Sequence, residues 1–383
     1  MIGIFSKLAI FLSYFNFNYG FLAESISSKR LGAVILILIA SIVIAKSKNL
    51  KFKILFPPVS FYLLYAFAFS ITVTTVDNLD YNFYIFQALL SLLTIALIMF
   101  IVLNHKINFS EMDLYYFALF GLVLYILFLT VILSDVSVGE WRDTLGANKY
   151  FSINSMYNIY VIVPIIFLFL LLFSEINKAS LLILLSISVF VLVIPSSKQV
   201  IGAFVISAAV FMYYSNVKKI GFILFAMSLI SLLFYDHFNI LYNLLSQRFV
   251  AGWSLDGGSI IRLQNLYESL RIASDYPFGV GLGNYKYYAE SGNFVTESSY
   301  LQILSELGLF AFIIFLAILT HWYIKIKYIS RYSRKMFIFL SAVFFYVLMI
   351  GFFNEVFFTS FLLYPYIFTY LIHNFYKRRG QDA

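Results

Sequence analysis

The sequence predicts an all-α polytopic membrane protein with about 12 transmembrane helices, and three observations carry that expectation. Of 383 residues, 62% are hydrophobic and only 11% are charged, against about 45–50% and about 25% in soluble domains. The apolar residues fall in runs that can cross a bilayer, which takes about 20 residues of helix because each backbone group must be satisfied within its own span. The lysines and arginines crowd the connections on one side of those runs. This balance excludes a soluble enzyme, a secreted scaffold, a disordered chain and a nucleic-acid binder. The chain has no cysteine, which also excludes disulfides, thiolate catalysis and cysteine metal sites.

Twelve runs qualify: 7–23, 31–45, 54–75, 83–103, 114–133, 157–173, 180–194, 199–215, 220–235, 299–323, 336–353 and 356–375. The first is interrupted by Asn16 and Asn18, and it lacks the basic start, compact apolar run and small-residue site of a cleavable signal. With the N-terminus inside, the inner connections hold 17 Lys/Arg against four acids, and the outer ones nine against 13. That asymmetry orients the chain with both termini in the cytoplasm. No short-period repeat divides it, so 1–383 reads as a single transmembrane domain.

Two outer loops are too long for simple turns: 134–156, which includes Trp141, Arg142, Asp143, Asn148 and Lys149, and 236–298. Unstructured connections beyond about 12–15 residues are functional or disordered. The second loop is neither low in complexity nor highly charged, so it is expected to be folded and functional. Over 259–274, Ile260, Leu263, Leu266, Tyr267, Leu270 and Ala273 recur at helical spacing, with Gln264, Glu268 and Arg271 opposite. The spacing predicts an amphipathic helix of four turns at the outer membrane surface.

Arg262 and Arg271 lie nine positions apart, about half a revolution, so they cannot face one small site. Arg271 follows Glu268 by one turn and reads as its surface partner. Arg262 has no such neighbour and sits near the helix start, where its charge opposes the macrodipole and an external anion would relieve it. A solvated or snorkelling arginine is the equally weighted alternative. Arg248 is a further outer cation. Lys198, in Pro195-Ser196-Ser197-Lys198 at the start of the eighth run, combines an ammonium with serine hydroxyls and helix-start N–H groups. Together these three cations suit a diphosphate, and each alone equally suits a lipid headgroup.

Beyond the helix comes Pro277-Phe278-Gly279-Val280-Gly281-Leu282-Gly283-Asn284-Tyr285. A dinucleotide-binding glycine loop follows a strand and opens a helix, whereas this segment follows a helix. Flexible backbone at the mouth of a cavity is the expected role. The tenth run opens with Thr296-Glu297-Ser298-Ser299-Tyr300-Leu301-Gln302, in which Ser299 and Gln302 fit a capping box. Glu297 beside a helix start is stabilised by the dipole, and it is also placed to act as a general base at the membrane surface. Sequence favours the structural role for it, as it does for Glu306 inside the run, although intramembrane carboxylates raise a functional question by default. His105, His237, His321 and His373 are scattered without metal-ligand spacing. No Asp-x-Asp or P-loop motif occurs.

In order, Arg262, then Tyr276-Pro277-Phe278-Gly279-Val280-Gly281, then Glu297-Ser298-Ser299-Tyr300-Leu301-Gln302-Ile303-Leu304-Ser305-Glu306-Leu307-Gly308, resembles the signature of the O-antigen polymerase and ligase superfamily. The resemblance covers about 259–310. It implies a GT-C-type glycosyltransferase in the bacterial inner membrane with its active site at the periplasmic face. Its members take a glycan from undecaprenyl diphosphate, needing neither nucleotide nor metal cofactor. The polymerase passes it to a second lipid-linked repeat unit and the ligase to lipid A-core.

Many ligases carry a His-Asn pair where this chain has Glu297-Ser298, which favours the polymerase and raises Glu297 as a base. Where the family often has arginine before the eighth run, this chain has Lys198, a point charge without the bidentate fork. The resemblance thus implies Arg262 and Glu297 as catalytic residues, with Arg248 and Lys198 on the diphosphate. Arg142, Asn284, Tyr285, Tyr287, Tyr288 and Tyr300 would contact sugars. The implied partners are the undecaprenyl-diphosphate-linked oligosaccharide as donor and acceptor, membrane lipids and a chain-length regulator. A lipid-linked oligosaccharide flippase is the expectation from a different class.

Overall fold

The structure is a computed structural model that describes residues 5–10, 28–46, 257–281, 284–290, 298–353 and 360–379, with scattered positions over 94–116 and 203–214. Among the described residues the chain is helical and contains no strand. Its elements are α1 (Ser28–Lys46), α2 (Gly257–Asp275), α3 (Tyr285–Tyr288), α4 (Ser299–Gln302), a π turn (Ile303–Leu307), α5 (Gly308–Ile329), α6 (Arg334–Phe353) and α7 (Ser360–Arg379). Among the described residues, two helices are long and apolar enough to cross a membrane, Ser299–Ile329 and Arg334–Phe352.

The runs predicted at 31–45, 299–323, 336–353 and 356–375 fall on α1, on α4 to α5, on α6 and on α7. Described positions inside 7–23, 83–103, 114–133 and 199–215 are helical. The runs 54–75, 157–173, 180–194 and 220–235 lie outside the described residues.

The core positions α4 and α5 against α6 and α7. On α5, Ala311, Phe315, Ile318, Leu319, Trp322, Ile326 and Ile329 are buried at helical spacing. The opposite stripe of Leu309, Phe310, Ile313, Leu316 and Ile324 is exposed. Trp322 packs edge-on against Phe344 of α6, with ring centroids 4.9 Å apart. Its Nε1 donates to Thr369 Oγ1 of α7 at 2.8 Å, and that hydroxyl donates to the Pro365 carbonyl at 2.8 Å. Apolar helices surrounded by an apolar medium gain most from close packing and such interhelical bonds.

The hairpin between α5 and α6 is short, so the two helices are antiparallel neighbours. Ser333 starts α6 as a side-chain cap, its Oγ accepting the Met336 N–H at 3.3 Å. Lys7 pairs with Asp113 at 2.7 Å, which brings the N-terminal helix and the start of the fifth predicted run to one end.

Candidate functional site

The site is built where α2 and the segment after it meet the broken start of the span. α2 packs against α4 and the π turn. Asn265, Glu268, Ser269 and Ile272 face inward and are buried, whereas Leu263, Leu266, Tyr267 and Leu270 face outward, Tyr267 being 69% exposed. The predicted helix is present, with its polarity reversed relative to a helix that faces water. The buried row has the i, i+3, i+4, i+7 spacing of a core face. Sequence reading missed it because the row is mostly polar.

Glu268 and Asn265 on this face each have a partner from α2 or α3. Arg271 donates to Glu268 Oε2 at 2.7 Å, to the Tyr288 carbonyl at 2.8 Å, and pairs with Glu290 at 3.0 Å. The expected Glu268–Arg271 pair therefore forms and also ties α2 to α3. The hydrogen bond to Glu268 holds the guanidinium above its ordinary pKa. Tyr285 is 1% exposed, and its hydroxyl lies 3.4 Å from both the carbonyl and Oδ1 of Asn265. Burial raises its pKa, so the phenol stays protonated and able to donate.

The span is not one continuous helix. Five residues form the π turn, and Gly308 then takes φ 83° and ψ 175°. The break exposes backbone groups that a helix would satisfy internally, and the Pro277–Gly281 segment supplies their partners. Val280 N–H donates to the Ser305 carbonyl at 3.1 Å and Gly281 N–H to the Glu306 carbonyl at 2.8 Å. Leu309 N–H donates to the Pro277 carbonyl at 2.9 Å. Gly279 has φ 88° and Gly281 φ 97°, conformations that cost other residues strain. A Cβ on Gly279 would stand 2.3 Å from the Glu306 carbonyl oxygen, and one on Gly308 would stand 2.3 Å from the Phe278 carbonyl carbon.

This corrects the expectation of flexible backbone at a cavity mouth. Gly279 and Gly281 hold a fixed turn docked backbone to backbone, and Gly283 lies outside the described residues. Glu306, 3% exposed, sits at the seam, with Oε1 accepting the Tyr285 N–H at 3.4 Å. It joins the loop to the span.

Two further expectations change. The capping box of Ser299 and Gln302 does not form: Ser298 is the cap, without a side-chain cap bond. Its hydroxyl instead bonds the Gly351 carbonyl at 3.4 Å, because this helix start is buried against α6 rather than open to water. Tyr285 cannot stack on a sugar with its ring buried beneath α2. Tyr287 and Tyr288 are exposed, and Tyr288 meets Tyr276 edge-on at 5.1 Å.

Among the sugar-contacting candidates, Asn284 is buried, with Nδ2 donating to the Val280 carbonyl at 2.9 Å. Its Oδ1, like Gln302 Oε1, has no hydrogen-bond partner among the described residues. Both are acceptors, suited to water or to a hydroxyl. Tyr300 is partly buried and donates to the Leu348 carbonyl at 3.0 Å, its ring 4.4 Å from that of Phe352.

Arg262 lies in the second turn of α2, and its side chain is outside the described residues. Seven positions before Ser269, it shares the edge of the buried row by register. Glu297, one residue before the Ser298 cap, lies outside the described residues, as do Arg248, Lys198 and Arg142. No protein-family model matches this chain, and no curated protein matches it.

Proposed function

We propose that the chain is an O-antigen polymerase: a GT-C-type glycosyltransferase of 12 spans with its active site at the periplasmic face of the bacterial inner membrane. One observation carries this reading. The segments that bear the resemblance, 259–281 and 297–308, are separate in sequence, and their described parts are locked together through Gly279, Gly281 and Gly308. α2, which bears Arg262, packs on α4, which Glu297 precedes by two residues. The outward apolar face of α2 supports immersion of that helix in the outer leaflet, where a lipid-linked substrate resides.

In this reading Arg262 and Arg248, assisted by Lys198, bind the donor diphosphate and stabilise its charge as it departs. Glu297 accepts the proton of the acceptor sugar hydroxyl. The acceptor oxygen bonds the anomeric carbon as the bond from that carbon to the diphosphate oxygen breaks, releasing undecaprenyl diphosphate. The lipid diphosphate is itself the activated leaving group, so the reaction calls for no nucleotide. Arg142 and the exposed Tyr287 and Tyr288 are the proposed sugar contacts.

The broken helix favours one second reading, a lipid-linked oligosaccharide transporter, because transporters build midplane sites from discontinuous helices. Glu306 is seven residues past Ser299, about 10 Å deep at about 1.5 Å per residue. That is the outer third of a core about 30 Å thick, which suits surface chemistry better.

The test is purified protein in detergent with synthetic undecaprenyl-diphosphate repeat units, products resolved on a gel. A ladder of lengths is expected, and Arg262→Ala or Glu297→Ala should each reduce it about 100-fold or more. If both variants still make long chains, the proposed site is wrong. If the wild type makes none with its cognate sugar, the ligase takes precedence, or the flippase should lipid A-core also remain unmodified.

A further inference from the structure

The far end of the α5–α7 pair carries positive charge that its own elements do not neutralise. Residues 308–379 contain eight Lys/Arg, all between 325 and 379, and one carboxylate, Glu355, which in sequence falls between α6 and α7. Lys325 is half-buried and feels the charge of Lys377, and His373 feels both of them together with His321. Among the described residues the ion pairs involve Lys7 and Arg271, and neither Lys325 nor Lys377 forms one.

The floor beneath these charges is aromatic. His373 is 6% exposed, its ring 4.8 Å from Tyr328, and its Nδ1 has no hydrogen-bond partner among the described residues. The hydroxyls of Tyr328 and Tyr332 are 3.0 Å apart. Tyr332 stacks on Tyr376 at 6.3 Å, and the Arg331 guanidinium lies 5.2 Å from the Tyr328 ring centre. Tyrosine and lysine interleaved in this way mark the level of lipid headgroups.

We propose that this end of α5 and α7 binds the phosphodiester headgroup of an anionic membrane lipid, with Lys325 and Lys377 contacting the phosphate and Arg331 at the rim. Basic pockets between spans at the cytoplasmic side hold such headgroups. A lipid fits better than a free phosphate because Ile324, 56% exposed and adjacent to Lys325, begins the exposed stripe through Leu316 and Ile313. That stripe offers a surface for the acyl chain. The assignment rests on the membrane-embedded reading of the chain and is independent of the polymerase reaction.

The experiment reconstitutes the full chain in phosphatidylcholine nanodiscs doped with phosphatidylglycerol and counts, by mass spectrometry, the lipid retained after transfer to detergent. Phosphatidylglycerol should be enriched on the wild type. Lys325→Gln with Lys377→Gln should weaken its retention about 25-fold, from about fivefold per charge, while Arg at both positions should preserve it. Lys218→Gln with Lys219→Gln, an equal loss of charge on the same predicted side, should leave it unchanged. Equal retention by wild type and the 325/377 variant overturns the site, as does an equal loss in the 218/219 variant. Displacement by millimolar inorganic phosphate overturns the lipid assignment in favour of a soluble anion. Failure of the wild type to float with liposomes overturns the membrane reading itself and this site with it.

Discussion

Gly279 and Gly308 each occupy the space that a side chain on the other would need. Both have positive φ, and each approaches the opposite backbone more closely than any Cβ permits. Alanine at either position therefore meets two costs, left-handed strain and a clash that only backbone movement relieves. We predict that Gly279→Ala and Gly308→Ala each destabilise the protein by about 2–6 kcal/mol, combining about 1–3 kcal/mol from each source. Thermal unfolding in detergent measures this, and a melting temperature equal to that of the wild type would show the two segments are not locked. The residues themselves were conspicuous in the sequence, but their task was not. A glycine required by a neighbour's backbone looks, in one dimension, the same as a glycine required for flexibility. Tyr285 was misjudged for a related reason: aromatic residues in an outer loop suggest sugar stacking, and only the packing of α2 over the ring reveals its structural use.

At the scale of elements, α2 is the part most legible in sequence and also the part whose surroundings were least so. Apolar spacing over 259–274 gave a helix that the structure extends to Gly257–Asp275. Periodicity reports that a helix has two faces; it does not say which medium covers the polar one. Here Asn265, Glu268 and Ser269 meet protein and the leucines do not. If the exposed leucines face lipid, single spin labels at 263, 267 and 270 should collide readily with dissolved oxygen in liposomes, and labels at 265 and 269 should be shielded. The reverse pattern would mean that α2 stands in water. The break at 303–308 was hidden for a different reason. Ile303, Leu304 and Leu307 keep the segment apolar on either side of Ser305 and Glu306, and the π turn depends on donors contributed from Val280 and Gly281, more than twenty residues earlier. Non-local hydrogen bonds leave no periodic trace, which is also why the capping-box pattern at Ser299 and Gln302 misled.

At the scale of the molecule, charge asymmetry and tertiary contacts can be compared directly. Lys7 meets Asp113, and Arg334 donates to the Tyr214 carbonyl at 3.3 Å. Each contact joins a run end to a connection, both assigned by the lysine and arginine distribution to the same, cytoplasmic side. Arg271 with Glu268 and Glu290 joins residues assigned to the opposite side. The three contacts are compatible with one topology, whereas a shift by a single span between Lys7 and Asp113, or between Tyr214 and Arg334, would break the match. Because the natural chain contains no cysteine, single substitutions test this without background labelling. Cysteine in place of Lys46 or Lys335 should react with a membrane-impermeant maleimide only after the inner membrane is opened. Cysteine in place of Lys286 or Glu290, both outside the predicted spans, should react in spheroplasts that are otherwise intact. Labelling of positions 46 and 335 in intact spheroplasts, with 286 and 290 protected, would invert the molecule. It would place α2 in the cytoplasmic leaflet, away from any periplasmic acceptor, and the glycosyltransferase reading would fall with it. Agreement at all four positions would fix the side on which Arg262 and Glu297 act.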